Sequence, residues 1–160
     1  MSRTTRRIAL GAILAVPFAP VPAMAAPNLS KQEREFIALV PWLQSVVPEA
    51  EEAAQLKHTL YEAAMEKAGR WRHDETTTEH HARLRRVERA QRENGYNQAW
   101  ERMTALEEPI GDATRELMGY PMTTPTAIAW KARLAILFDC WHEEALDDMA
   151  ALVGRARQCA

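Results

Sequence analysis

The chain is poor in the residues from which most recognisable sites are built. Two cysteines, Cys140 and Cys159, are too few for a disulfide scaffold, and no Cys-x-x-Cys is present to hold zinc or attach haem. Six glycines in 160 residues leave little material for a phosphate-cradling loop, and no serine elbow of the Gly-x-Ser-x-Gly kind occurs. There is no His-Glu-x-x-His and no Glu-x-x-His pair of the di-iron bundle type. Valine and isoleucine total only nine in residues 26–160, against 22 alanines. Alanine is the best helix former and β-branched residues favour strands, so this scarcity points to helices before any pattern is read. The only Asn-Gly, at 94–95, lies between helical patterns and not between alternating ones. No catalytic constellation is visible, and no cofactor is expected.

The formal net charge of −2 conceals an uneven distribution. Residues 1–25 carry Arg3, Arg6 and Arg7 and no acid, so the remainder holds 17 basic and 22 acidic side chains. The three arginines precede a nine-residue uncharged run, Ile8 to Val16, and Ala23-Met24-Ala25 supplies the small residues that a signal peptidase inspects. Residues 1–25 therefore read as a cleavable signal peptide, cut after Ala25, since Pro27 fits a peptidase poorly as a first mature residue. The run is about half the ~20 residues needed to cross a bilayer, so no permanent membrane anchor is expected. Thr5-Arg6-Arg7-Ile8-Ala9-Leu10 has the paired arginines and later leucine of a twin-arginine signal, and departs from that pattern at Ala9 and Gly11. The twin-arginine and general secretory routes both stay open. Either leads to a periplasmic or secreted protein, with the export machinery as first partner.

Residues 26–160 read as one all-α domain, an antiparallel bundle or long helical hairpin of three to four helices. Ser30-Lys31-Gln32-Glu33 is a capping box opening a short helix that should stop near Val40, before Pro41. Pro48-Glu49 opens a second, with the stripe Ala53, Leu56, Leu60, Ala64, Ala68, Trp71. A polar loop is expected at 74–78. Helical spacing resumes near Thr78 and passes Leu84, Val87, Tyr96, Trp100, Met103, Leu106, Ile110, Ala113 and Leu117. Whether residues 78–118 make one helix or two, broken at Asn94-Gly95, is open, and Pro109 should kink either. Gly119-Tyr120-Pro121 ends that element, Thr124 caps the next, and Pro125 starts it. Ile128 through Leu152 then line a final helix of about seven turns. The aromatics in these stripes read as core.

Five histidines raise a metal site, with His80 and His81 beside Glu75 and Glu79, and with Asp139 and His142 one helical turn apart. Adjacent residues on a helix point about 100° apart, so His80 and His81 cannot both grip one ion, and the Asp139/His142 spacing also suits a surface contact. No metal is expected; those four are the candidates. On a continuous last helix, Cys140 and Cys159 would stand roughly 28 Å apart, too far for a disulfide unless the chain folds back after Gly154. Seven arginines (Arg70, Arg72, Arg83, Arg85, Arg86, Arg89, Arg92) lie between residues 70 and 92, against four acids, with Trp71 among them. A solvated helix face, with Arg85 and Arg89 paired to Glu88, is the plain reading. An anionic partner and nucleic acid are the others, and export argues against nucleic acid as a partner.

Pro121-Met122-Thr123-Thr124, then Ala127 and Lys131-Ala132-Arg133, resemble a loose group of small uncharacterised bacterial all-helical proteins with twin-arginine-type signal peptides. In that group a Pro-x-Thr-Thr turn leads into a last helix bearing Lys-Ala-Arg, and the preceding segment carries a tryptophan and spaced acids, as Trp100-Glu101 and Glu107-Glu108 do here. Some members lie in prophage-like surroundings. The resemblance spans about residues 96–140 and the leader, and implies fold and address without an activity. Three functions follow as expectations. The first is an exported non-enzymatic interaction or structural protein, with a protein partner or a second copy. The second is a periplasmic metal- or ligand-binding bundle, and the third a phage-associated nucleic-acid-binding factor.

Overall fold

The computed structural model of the chain describes residues 29–158, and all the regular structure among them is helical. The elements are α1 (Lys31–Ala68), α2 (Thr77–Glu93), α3 (Tyr96–Met118), α4 (Pro125–Phe138) and α5 (His142–Gln158). This is the all-α class that the alanine-rich composition predicts. The export-signal residues Arg6 and Arg7, the cleavage residues Ala23 and Ala25, and Cys159 lie outside the described residues.

Two expected boundaries hold, and the alternative left open at Asn94-Gly95 resolves as two helices. Ser30 accepts the Glu33 amide at 3.0 Å at the start of α1, although the Glu33 carboxylate does not complete the capping box. Asn94-Gly95 separates α2 from α3, with Gly95 at φ 84° and the Asn94 amide bonded to Ala90 O. Thr124 caps α4 through the Ala127 amide, and Pro125 follows as its first residue.

Two boundaries are corrected. The helix opened by Ser30 does not stop near Val40: α1 runs unbroken through Pro41 and Pro48 for 38 residues. Proline there removes an amide donor and crowds the preceding turn, which costs about 3 kcal/mol in an isolated helix. Tertiary burial outweighs it, because Phe36, Val40, Leu43, Val47 and Ala50 are all buried on one helical stripe while both prolines face solvent. Pro41→Ala should therefore stabilise the fold by about 2 kcal/mol, after allowing for the proline's restriction of the unfolded chain, and so raise the urea midpoint. An unchanged or lower midpoint in urea would show that Pro41 is required where it stands.

The expected seven-turn final helix is two helices. Asp139 takes a left-handed conformation (φ 53°, ψ 35°), its amide reaches Ile136 O at 3.3 Å, and the Cys140 amide reaches Ala135 O at 3.2 Å. This pair of bonds is a Schellman stop, with aspartate in the place that glycine usually fills. Trp141 is also left-handed (φ 56°), which a bulky side chain adopts only when its surroundings impose it. Five helices among the described residues replace the three or four expected.

The chain divides into two compact units, one containing residues up to Gln44 together with Gly111 onward, the other Ser45 to Ile110. The first unit holds most of the large buried side chains, among them Phe36, Leu43, Met118, Met122, Ile128, Trp130 and Leu134. It also buries two polar ties. Glu33 accepts four hydrogen bonds, from the amides and hydroxyls of Thr123 and Thr124, at 2.7–2.8 Å. Lys131 donates to Asp148 Oδ2 at 2.7 Å and to Tyr120 O at 2.9 Å. The second unit is stitched mainly by small residues, with Ala50, Ala53, Ala64, Ala68, Ala90 and Ala99 buried beside Val47, Val87, Met103 and Ile110. Within it, Asn94 Nδ2 donates to Leu60 O at 2.7 Å, and the Tyr61 and Tyr96 rings lie 6.0 Å apart.

Candidate functional site

In the second unit, the segment between α1 and α2 folds against the first half of α2 and leaves a cleft of about 350 Å³. Gly69, Arg70, Arg72, Glu75, Glu79, Ala82, Arg83 and Arg86 line it. Local sequence accounts for this shape. Gly69, at φ 90°, turns the chain out of α1 without the penalty that a side chain would bring. A turn bonded from Glu75 N to Arg72 O reverses it, and Thr76 then caps α2. The cap is a full capping box, with Glu79 N donating to Thr76 Oγ1 and the Thr76 amide donating to Glu79 Oε2 at 2.9 Å. Those bonds hold the Glu79 carboxyl below its ordinary range, with Arg72 adding to the effect, so Glu79 stays ionised.

Arg83 forms the floor. Its side chain is 6% exposed, its Nε donates to both oxygens of the similarly buried Glu75 at 3.0 and 3.1 Å, and Nη2 lies 3.1 Å from His80 Nδ1. A guanidinium can only donate, so His80 Nδ1 is the acceptor in that contact. Arg86 donates Nε to the carbonyl of Ala68, the last residue of α1, at 3.1 Å. Arg72 lies 3.6 Å from both Asp74 and Glu79. Arg70 is exposed and makes no ion pair among the described residues. Two of the four arginines are thus offset by the lining carboxylates, Arg83 by Glu75 and Arg72 by Glu79. Arg70 and Arg86 have no acidic partner among the described residues.

The metal candidates do not converge. The His80 and His81 rings are 6.0 Å apart and edge-on, and His80 faces a guanidinium. His142 Nε2 lies 3.3 Å from Asp139 Oδ1, across the helix break and not along one helical face as expected. Among the described residues, no three histidine, cysteine or acidic side chains are grouped to hold a metal ion. Burial, with Asp139 and Glu144 nearby, pushes the Cys140 thiol up to about 11, so it stays protonated and unreactive near neutral pH.

Of the arginine cluster, Arg85, Arg89 and Arg92 are exposed, as a solvated helix face requires. The buried Arg83–Glu75 pair is what the sequence reading missed. Its signal is the stripe Arg83, Val87, Ala90, all buried at helical spacing, with an arginine where an apolar side chain belongs. The same register leaves Leu84 exposed. The aromatic stripes are also corrected: Trp71 is 57% and Trp100 50% exposed, so neither is core. Trp71 falls beyond the end of α1, where the stripe no longer has a helix to follow, and stacks with His73 at 5.4 Å.

Comparison with known protein families, with characterised proteins and with solved structures returns no match.

Proposed function

We propose that this chain is an exported, non-enzymatic helical protein that binds an anionic partner through the arginine-lined cleft. The observation that carries this reading is the local excess of positive charge at the cleft in a chain whose residues after the leader are acidic overall. Such contrast steers an oppositely charged partner to one place on the surface. Export rests on the leader: three arginines, a short apolar run, and Ala23 and Ala25 before the cut. No described helix is long and apolar enough to cross a membrane.

We further infer that the second unit is a helical hairpin, with α1 as one arm and α2 followed by α3 as the other. The contacts Ala68 with Arg86, Leu60 with Asn94, and Glu49 with Arg102 support this, because one set of numbers falls as the other rises. Antiparallel arms place the cleft at the tip of the hairpin, beyond the end of α1.

Photocrosslinking in fractionated cells, with the probe replacing the exposed Trp71 next to the cleft so that its arginines are kept, tests the docking reading. Adducts to a specific partner that Arg86→Glu abolishes are expected. A chain that yields only uncrosslinked monomer would remove docking. An N-terminus that by mass spectrometry still begins at Met1 in the cytoplasm would remove export.

A further inference from the structure

Resting on the reading of the cleft as the docking site, we propose that its ligand is a dianionic phosphate monoester group, held by Arg70 and Arg86 above the Arg83–Glu75 floor. The charge count selects the valence. With Arg83 offset by Glu75 and Arg72 by Glu79, the lining carries two positive charges in excess, and a single carboxylate would neutralise only one. The count is of the lining residues, and Asp74, 3.6 Å from Arg72, is not one of them. A phosphate monoester carries close to two negative charges above its second pKa of about 6, and three oxygens that accept from guanidinium forks.

Geometry supports the assignment. Arg83 is immobilised by three contacts, so the floor beneath Arg70 and Arg86 is fixed and loses no side-chain freedom on binding. Arg86 is anchored by Nε to Ala68 O, and its terminal nitrogens have no partner among the described residues. Arg70 brings a whole guanidinium free of any acid among the described residues. The cleft exceeds the size of a phosphate group, so the rest of a monoester fits with it. A phosphomonoester of this kind occurs as a free small molecule and as a lipid headgroup, and the cleft chemistry is the same for both.

Two measurements on the full-length chain test this at low ionic strength and pH 8. Calorimetric titration with inorganic phosphate reports the free form, and co-sedimentation with phosphatidylcholine vesicles containing phosphatidic acid reports the headgroup form. Saturable binding in either, at least tenfold weaker in Arg70→Glu and unmatched by acetate, supports the proposal and identifies the source. Arg70 is exposed and outside any ion pair among the described residues, so this variant should keep the wild-type helical circular dichroism. Absence of binding in both assays overturns the phosphate assignment, and so does binding that Arg70→Glu leaves within twofold or that acetate reproduces. Crosslinking to a partner at position 71 that persists while both assays fail would keep the docking reading and discard only the phosphate.

Discussion

Lys131→Met is expected to destabilise the first unit by roughly 3–5 kcal/mol, the range found when one member of a buried ion pair is removed. Lys131 is 1% and Asp148 8% exposed, and their contact is 2.7 Å. The methionine fills most of the space but leaves the Asp148 carboxylate in a dry site with its charge uncompensated. It also strips the Tyr120 carbonyl of the ammonium that now satisfies it. A drop of about 10–20 °C in the thermal midpoint corresponds to that loss for a chain of this size. The double variant Lys131→Met/Asp148→Leu should recover most of it, since removing both charges also removes their desolvation. A single variant that unfolds within about 1 kcal/mol of wild type would mean that water reaches the pair and that the ion pair contributes little to holding α4 against α5.

Glu33→Ala should cost a similar amount, roughly 3–5 kcal/mol, by leaving two amides and two hydroxyls without their acceptor. Glu33 is buried, and four donors on two consecutive residues converge on its two oxygens. The carboxylate thereby ties the start of α1 to the turn that begins α4. Burial alone would raise its pKa, but the bonds from Thr124 and Thr123 outweigh it and hold the group below its ordinary 4.5. A depressed folded-state pKa means that the stabilisation is complete above about 4.5 and is lost as pH falls through the lower folded value. Denaturation midpoints measured between pH 7 and 3 should fall more steeply for wild type than for Glu33→Gln. Parallel profiles would place the acid sensitivity elsewhere.

These two ties also use the residues on which the expected resemblance rests. Thr123, Thr124 and Lys131 are each used structurally: the threonines donate to Glu33, and Lys131 bridges Asp148 and Tyr120 O. Nothing in their geometry leaves a group free for chemistry. Pro-x-Thr-Thr followed by Lys-Ala-Arg is thus intelligible as a folding device, a turn whose donors need a buried acid 90 residues earlier. In the sequence that acid is legible only as half of a local capping box. Ser30 does cap the helix, but the Glu33 side chain turns away to Thr123 and Thr124.

Periodicity over the alanine-rich stretches is enough to predict the all-helical structure of the described residues. Local signals place the caps at Ser30 and Thr124, because each depends on bonds within one turn, while the choice between one helix and two at Asn94-Gly95 stays open until the fold is seen. The signal-peptide reading of residues 1–25 rests on the sequence alone and lies outside the described residues. Tertiary structure decided whatever involved competition between a local cost and distant burial. Pro41 and Pro48 stay inside α1 because the apolar stripe around them is buried. Asp139 and Trp141 enter left-handed conformations, and so end a helix that spacing alone would continue. Arg83 sits in an apolar stripe because Glu75, from the preceding loop, meets it there. Scarce glycine and the missing ligand spacings point away from loops and metal motifs, but they say nothing of the cleft. It is made by ordinary arginines, distinguished only by which of them folding has paired with an acid.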